Sequence, residues 1–395
     1  MPAPLPPILP PVVSPPAQAE APAPAADGQS PLWPQELVRS LRRVQDRLAA
    51  GANDAFAAQR ALSERIEREF AAADPSVWRD PRNARAAVTY FLSGGNPSVL
   101  RRLMGQQPPP SIDSRLLRGT LAYLEGREEE ALRQLSDINP RSLPASLGGQ
   151  VALAQAALWV RKDPKRSTML LDVARLLAPG TLVEEAALRR AIVVASQSGD
   201  TEAFEHASKQ YLFRFRNSVY ADNFRQRFAS ALSRMNFVND PQQFHRLDDM
   251  LKMMEPNSRR DMELLVARSA VVQGKTAAAG MAAQRVLAGT PDGSAEADRA
   301  RLYRGASLAP SADTYGAALK DLKTVDRDRL GPADVALLDA ASATASMVQR
   351  AAESAPPPPA PAQPVVLSKE EELPVLERAR AALATADSVL KGGPR

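Results

Sequence analysis

The chain has 395 residues, a formal net charge of +5 and no cysteine. Without thiols it forms no disulfide and no thiolate metal site, and no run of 18 or more apolar residues is available to span a bilayer. Arginine outnumbers lysine 41 to 9 beside abundant alanine. GC-rich codon usage gives that pairing, and the acids are interspersed with the bases as on a solvated helical surface, so the arginine excess is not in itself a nucleic-acid signal.

Residues 1–33 are too rich in proline and alanine to fold and read as a polyproline-biased tether. The opening, MPAPLPPILPPVV, has no basic n-region and its prolines forbid a helical h-region, so it does not read as a signal peptide. That leaves open a cytoplasmic chain, a mature chain trimmed of its signal, or a different start. An N-terminal helical block follows over 34–105. Pro34 opens a helix with Leu37, Val38, Leu41, Val44 and Leu48 on one face. Asn53 is expected to cap the next, which carries Phe56, Leu62, Ile66 and Phe70. Asp74-Pro75, Asp80-Pro81 and Asn96-Pro97 start further segments, and Gly94-Gly95 stops one. Residues 106–110 are a linker.

From 106 to 353 the chain reads as stacked helix pairs. Turns between partner helices are marked at Gly126, Lys162-Asp163-Pro164, Gly199-Asp200, Asn239-Asp240-Pro241 and Gly274, about 35 to 40 residues apart, the period of helix-pair repeats. Each glycine suits a left-handed residue after a helix, and each Asp-Pro suits an N-cap followed by a fixed φ. Leu116, Leu117, Leu121 and Leu124 form one apolar face. Leu170, Leu171, Val173, Ala174 and Leu177 form another, and Leu264, Leu265, Ser269 and Val272 a third. Gly119, Gly126 and Ala131 fall where a tetratricopeptide repeat needs small residues, although its aromatic positions are missing. The fold expected is therefore all-α, a tetratricopeptide-like α-solenoid, with 293–331 its least regular part. A Pro-rich linker over 354–366 leads to a last amphipathic helix within 367–395. A capping box at Ser368 and Glu371 opens it, and it is expected to fold back and bury Leu376 and Leu383. Its mixed polar face argues against membrane insertion.

Side chains that could carry chemistry are few. Glu202 and His206 have helical spacing for a metal pair, but two ligands do not make a site; His206 and His245 read as ordinary helical residues, and no metal or cofactor is expected. Gly94-Gly95 and Gly148-Gly149 lack the lysine, further glycines and preceding strand of a phosphate loop. Glu128-Glu129-Glu130, Glu184-Glu185 and Glu370-Glu371-Glu372 sit where a helix dipole favours acids. The densest feature is 211–228. Tyr220, Phe224 and Phe228 recur at four-residue intervals and read as a buried stripe. Arg214, Arg216, Arg225 and Arg227 must then point outward and are the candidate partner-binding residues, since guanidinium groups suit carboxylate recognition.

Several strings are distinctive: WRDPRNARAAV at 78–88, FLSGG at 91–95, RSLPASLGGQV at 141–151, VRKDP at 160–164, LLAPGTLVEEAALRR at 176–190 and YLFRFRNSVYADNFRQRF at 211–228. Together they resemble the MotC family over about 37–350. The resemblance implies a periplasmic motility and chemotaxis protein of rhizobia and related bacteria. It also implies binding to the periplasmic part of the flagellar stator subunit MotB and support of motor rotation, with no nucleic-acid partner and no catalysis. Two other classes fit an α-superhelix: an accessory or enzyme of cell-wall metabolism resembling the lytic transglycosylases, and a cytoplasmic RNA-binding repeat protein. The first would need a catalytic carboxylate in a further domain, and no segment is left over to supply one.

Overall fold

The computed structural model describes residues 33–354, apart from Met253, and 377–385. These residues are helical, with no strand among them, and the fold is an all-α helical-repeat solenoid. One compact unit runs to Val348 and a second begins at Gln349.

Helices α1 (Pro34–Ala49), α2 (Ala55–Ala72), α3 (Pro81–Leu92) and α4 (Pro97–Met104) come first. Proline opens α1, α3 and α4. Asp80 and Asn96 accept the backbone N–H two residues on, at 2.8 and 2.9 Å, which satisfies donors the helix cannot. At α2 the N-cap is Asp54 rather than Asn53, and its side chain makes no cap bond. Leu37, Val38, Leu41 and Leu48 are buried as their spacing requires, joined by Gln45 in place of Val44. Phe56 does not join Ile66 and Phe70 in the core; it is half-exposed.

Helix pairs follow: α5 (Ser114–Leu124) with α6 (Glu128–Leu135), α7 (Ala145–Trp159) with α8 (Pro164–Leu177), and α9 (Leu182–Ser198) with α10 (Thr201–Arg214). After α11 (Ala221–Leu232) and α12 (His245–Leu251) come α13 (Pro256–Val272) with α14 (Thr276–Ala288), α15 (Ala295–Leu308) with α16 (Tyr315–Lys323), and α17 (Pro332–Ser354). Gly126, Gly199 and Gly274 have φ of 71, 71 and 69°. In each case the next N–H reaches five residues back: Arg127 to Ala122 at 2.9 Å, Asp200 to Ala195 at 3.0 Å, and Lys275 to Ala270 at 2.8 Å. This is one left-handed helix stop used three times. Asp163 caps α8 through the Arg166 N–H at 2.9 Å.

Four expectations are corrected. Asp240-Pro241 does not start a helix. Phe237 and Val238, in a short 3-10 segment, are drawn into the core, and the chain turns until His245 before α12 begins, which packs against α10. Val272 is exposed, because the buried side of α13 is Met262, Glu263, Leu264, Val266, Ala267 and Ala270, which keeps Leu264 of the expected face. The stretch 293–331 is not irregular: it holds the packed pair α15 and α16. Residues 377–385 are helical, but Leu383 is exposed rather than buried; the tether, the capping box at Ser368, the triad Glu370–Glu372, and Leu376 lie outside the described residues.

Small residues set how closely partner helices approach. A Cβ added to Gly119 would lie 2.5 Å from Leu135 Cγ, and one added to Gly305 would lie 2.8 Å from Leu322. Two large buried clusters fill most of the first unit, with a small third one of Ala309, Ala318 and Ala345. Of the large ones, one runs from Leu37 to Val194 and the other centres on residues from Leu182 to Ala341, joined at its edge by Ala49.

These contacts give a paired prediction. Gly119→Ala should destabilise by about 1–3 kcal/mol through overpacking, although alanine is ordinarily the better helix former by about 1 kcal/mol. Gly199→Val, with open space around its Cβ position, should lose about 1–2 kcal/mol through backbone strain alone. Urea unfolding midpoints of the two variants read both effects; an unshifted Gly119→Ala would mean that α5 and α6 separate freely.

Candidate partner-binding surface

The segment 211–228 divides into a buried half and an exposed half. Tyr211 and Phe224 stack with ring centroids 3.5 Å apart, and Phe204 and Phe228 stack at 5.6 Å. Phe224 and Phe228 are fully buried, as the four-residue spacing requires. Tyr220 is half-buried at the start of α11, where Phe56 meets its ring edge-on at 6.1 Å. Phe213 instead points to solvent.

The four arginines do not form one patch. Arg214, at the end of α10, donates from Nη1 to Glu184 Oε1 at 2.9 Å. Arg225 is paired with Asp222 on its own helix. Arg216, in the loop after α10, and Arg227, on α11, are exposed. Arg225 and Arg227 are two residues apart, a spacing that places helical side chains on different sides.

The acids expected to complement a helix dipole do more than that at α9. Glu184 and Glu185 are buried. Glu184 Oε2 accepts the Gly180 N–H at 2.6 Å, replacing the side-chain cap that Thr181 does not provide. Glu185 Oε1 accepts from the Tyr211 hydroxyl at 2.9 Å and the Ser218 hydroxyl at 2.8 Å. Arg189 Nε stands 4.0 Å from the same oxygen, with its guanidinium 5.1 Å from the Tyr220 ring centroid. Glu185 Oε2 has no partner. Burial pushes the Glu185 carboxyl above its ordinary range, with Arg189 and the two hydroxyls opposing. The sequence places these acids at a helix start but carries no sign that a tyrosine and a serine about 30 residues on will meet them.

His206 is exposed, with Nε2 3.0 Å from Gln210 Nε2, and His245 is exposed on α12. No group of three or more potential metal-ligating side chains occurs among the described residues. The segment therefore exposes Arg216, Arg227 and Phe213 and buries the aromatic rings of Tyr211, Phe224 and Phe228.

The family model for the chemotaxis protein MotC matches residues 7–394. The chain belongs to the MotC family. A chemotaxis protein MotC from Rhizobium meliloti (strain 1021) is 35% identical over 340 residues, which cover 85% of this chain and 77% of that relative. No solved structure matches the chain.

A further buried acid, Glu263, should make the stability of the first unit depend on pH. Glu263 on α13 is pushed up to about 7, first by burial and then by the Asp248 charge, against Arg285, Arg259 and Arg260. A carboxyl raised in the folded state contributes stability that is complete below its ordinary value near 4.5 and is lost as pH rises through about 7. The melting temperature should therefore fall between pH 5 and 8, and Glu263→Gln should flatten that part of the profile while leaving pH 4.5 little changed. A Glu263→Gln profile parallel to the parent would remove Glu263 as the cause.

Proposed function

We propose that the chain is a non-catalytic periplasmic protein that holds the periplasmic part of the flagellar stator subunit MotB on its helical-repeat surface and so supports motor rotation. The observation that carries this reading is family membership: the MotC match covers nearly the whole chain, and the relative bearing that name is a chemotaxis protein. Membership gives the chain a role in motility and chemotaxis. The fold supports an interaction role, since stacked helix pairs present extended surfaces and seldom carry chemistry.

Within 211–228 the structure narrows the candidates. Arg216 and Arg227 are exposed, whereas Arg214 neutralises a buried glutamate. Removing a partner from a buried charge destabilises the fold itself. Arg216 and Arg227, with the exposed Phe213, are therefore the contact residues of this reading, and Arg214 and Arg225 serve chiefly to hold the segment in place.

Isothermal titration of the purified chain with the purified MotB periplasmic region tests it. The intact chain should bind. Arg216→Glu with Arg227→Glu should weaken binding by about 1–3 kcal/mol and reduce its salt dependence, with the melting temperature unchanged. Arg214→Glu should lower the melting temperature first. Absence of binding by the intact chain would remove MotB as the partner; full binding by the double variant would remove this segment from the interface.

A further inference from the structure

We propose that a cationic cleft formed by α1, α3 and the start of α7 binds an acidic peptide segment of a protein partner, seating one apolar side chain between carboxylates. The cleft has a volume of about 210 Å³. It lies on elements other than 211–228 and does not depend on the identity of the partner proposed above.

Arginines dominate its walls. Arg39 and Arg42 are three residues apart on α1, and Arg82 and Arg85 three apart on α3, so each pair shares a side of its helix; all four line the cleft. Arg82 is committed to Asp80, with Nη2 2.7 Å from Oδ2. Arg39, Arg42 and Arg85 make no ion pair within 4 Å among the described residues, although Asp46 attracts Arg42 and Asp80 attracts Arg85 through space. The acids of α1 are engaged elsewhere: Glu36 Oε2 accepts the Trp33 N–H at 3.1 Å and Asp46 Oδ1 the Leu182 N–H at 3.4 Å. Guanidinium groups outnumber the carboxylates near this recess, and a ligand bringing carboxylates completes them through charge-assisted forks.

The remaining lining selects among anions. Gln35, Thr89 and Ser146 are polar, and the apolar lining is the partly exposed Ala86 with the almost fully buried Val38 and Leu147. A simple inorganic anion has no use for them, and no aromatic ring is present to stack a base as a nucleic acid would require. Pro144, the N-cap of α7, supplies no side-chain acceptor, so that helix keeps its positive end uncapped beside the recess. An acidic segment with an intervening apolar side chain satisfies the arginines, the apolar wall and the dipole together.

Fluorescence anisotropy with the full chain tests this. The probe is a fluorescein-labelled octapeptide of alternating aspartate and leucine. Companion peptides carry asparagine for aspartate or serine for leucine. Arg39→Glu with Arg85→Glu should weaken binding of the probe at least tenfold, and Ala86→Trp, which fills the recess without changing charge, should do the same. Lys165→Glu, at an exposed position on α8 outside both regions, should stay within twofold of the parent. Both companion peptides should bind at least tenfold more weakly than the probe. Full binding by the double variant or by Ala86→Trp would overturn the proposal, as would equal binding of the asparagine peptide. If the serine peptide binds as well as the probe and millimolar phosphate displaces both, the recess is a simple anion site. A thymidine octanucleotide that binds more tightly than the probe would replace the peptide reading by a nucleic-acid one.

Discussion

The docking of the α1–α2 turn onto the loop after α10 ties the first helices to the third helix pair, some 170 residues later. The Val219 N–H donates to the Leu48 carbonyl at 3.2 Å, at the end of α1. Gly51 has φ of 102°, and a Cβ there would lie 2.4 Å from the Asn217 carbonyl oxygen. Both features require glycine: the backbone is left-handed, and the neighbouring backbone occupies the space of any side chain. Asp46, Phe56 and Ala49 add a hydrogen bond to Leu182, a ring contact to Tyr220 and a place in the cluster of the later helices. A stack of helix pairs otherwise contacts only its neighbours. Here a long-range contact fixes the loop in which Arg216 stands, so the candidate surface owes its geometry to the opposite end of the unit.

Buried Glu185 completes that arrangement from the inside. It orients Tyr211 and Ser218 at the two ends of the same turn. A buried carboxylate is costly unless it is paired and hydrogen-bonded. Glu185 uses one oxygen three ways and leaves the other without a partner. The group tolerates this because burial raises its pKa and favours its neutral form. Apolar packing of Phe204, Phe224 and Phe228 fixes where α11 lies; the hydrogen bonds at Glu185 fix how the loop before it turns.

The parts of this fold that were legible in the sequence are those set by local chemistry. Gly126, Gly199 and Gly274 mark left-handed stops because no other residue takes that backbone cheaply, and Asp-Pro and Asn-Pro pairs mark helix starts for equally local reasons. The aromatic stripe at Phe224 and Phe228 follows from helical period alone. Elements whose position depends on distant partners were not legible. Val272 has the apolar character of a core residue, but the neighbours of α13 take a side centred on Val266 and Ala270. Asp240-Pro241 has the form of a helix start, yet Phe237 and Val238 hold the chain in the core first. Of the four arginines, the sequence gives their outward tendency but not that Arg214 would meet Glu184, 30 residues earlier.

That difference explains why an arginine-rich sequence says little about binding until its charges are matched to partners. Arg82 and Arg115 close onto aspartates two residues away, at 2.7 and 2.8 Å, where the same carboxylate also caps a helix. Arg304 holds Asp321 by two bonds of 2.6 Å across the α15–α16 pair. Such arginines fasten turns and neighbouring helices, and their charge is spent within the fold. Arg39, Arg42, Arg85, Arg216 and Arg227 differ in making no close ion pair among the described residues, though Asp46 and Asp80 attract Arg42 and Arg85 through space. They come from two separate regions, one a recess with apolar walls and the other an exposed loop and helix. A recess confines a ligand and excludes water, so each charge contact there is stronger than on an open surface. Electrostatic attraction at the open loop acts chiefly on the rate of encounter. In the proposed reading, the same residue type draws a partner in at the open loop and selects a ligand in the recess.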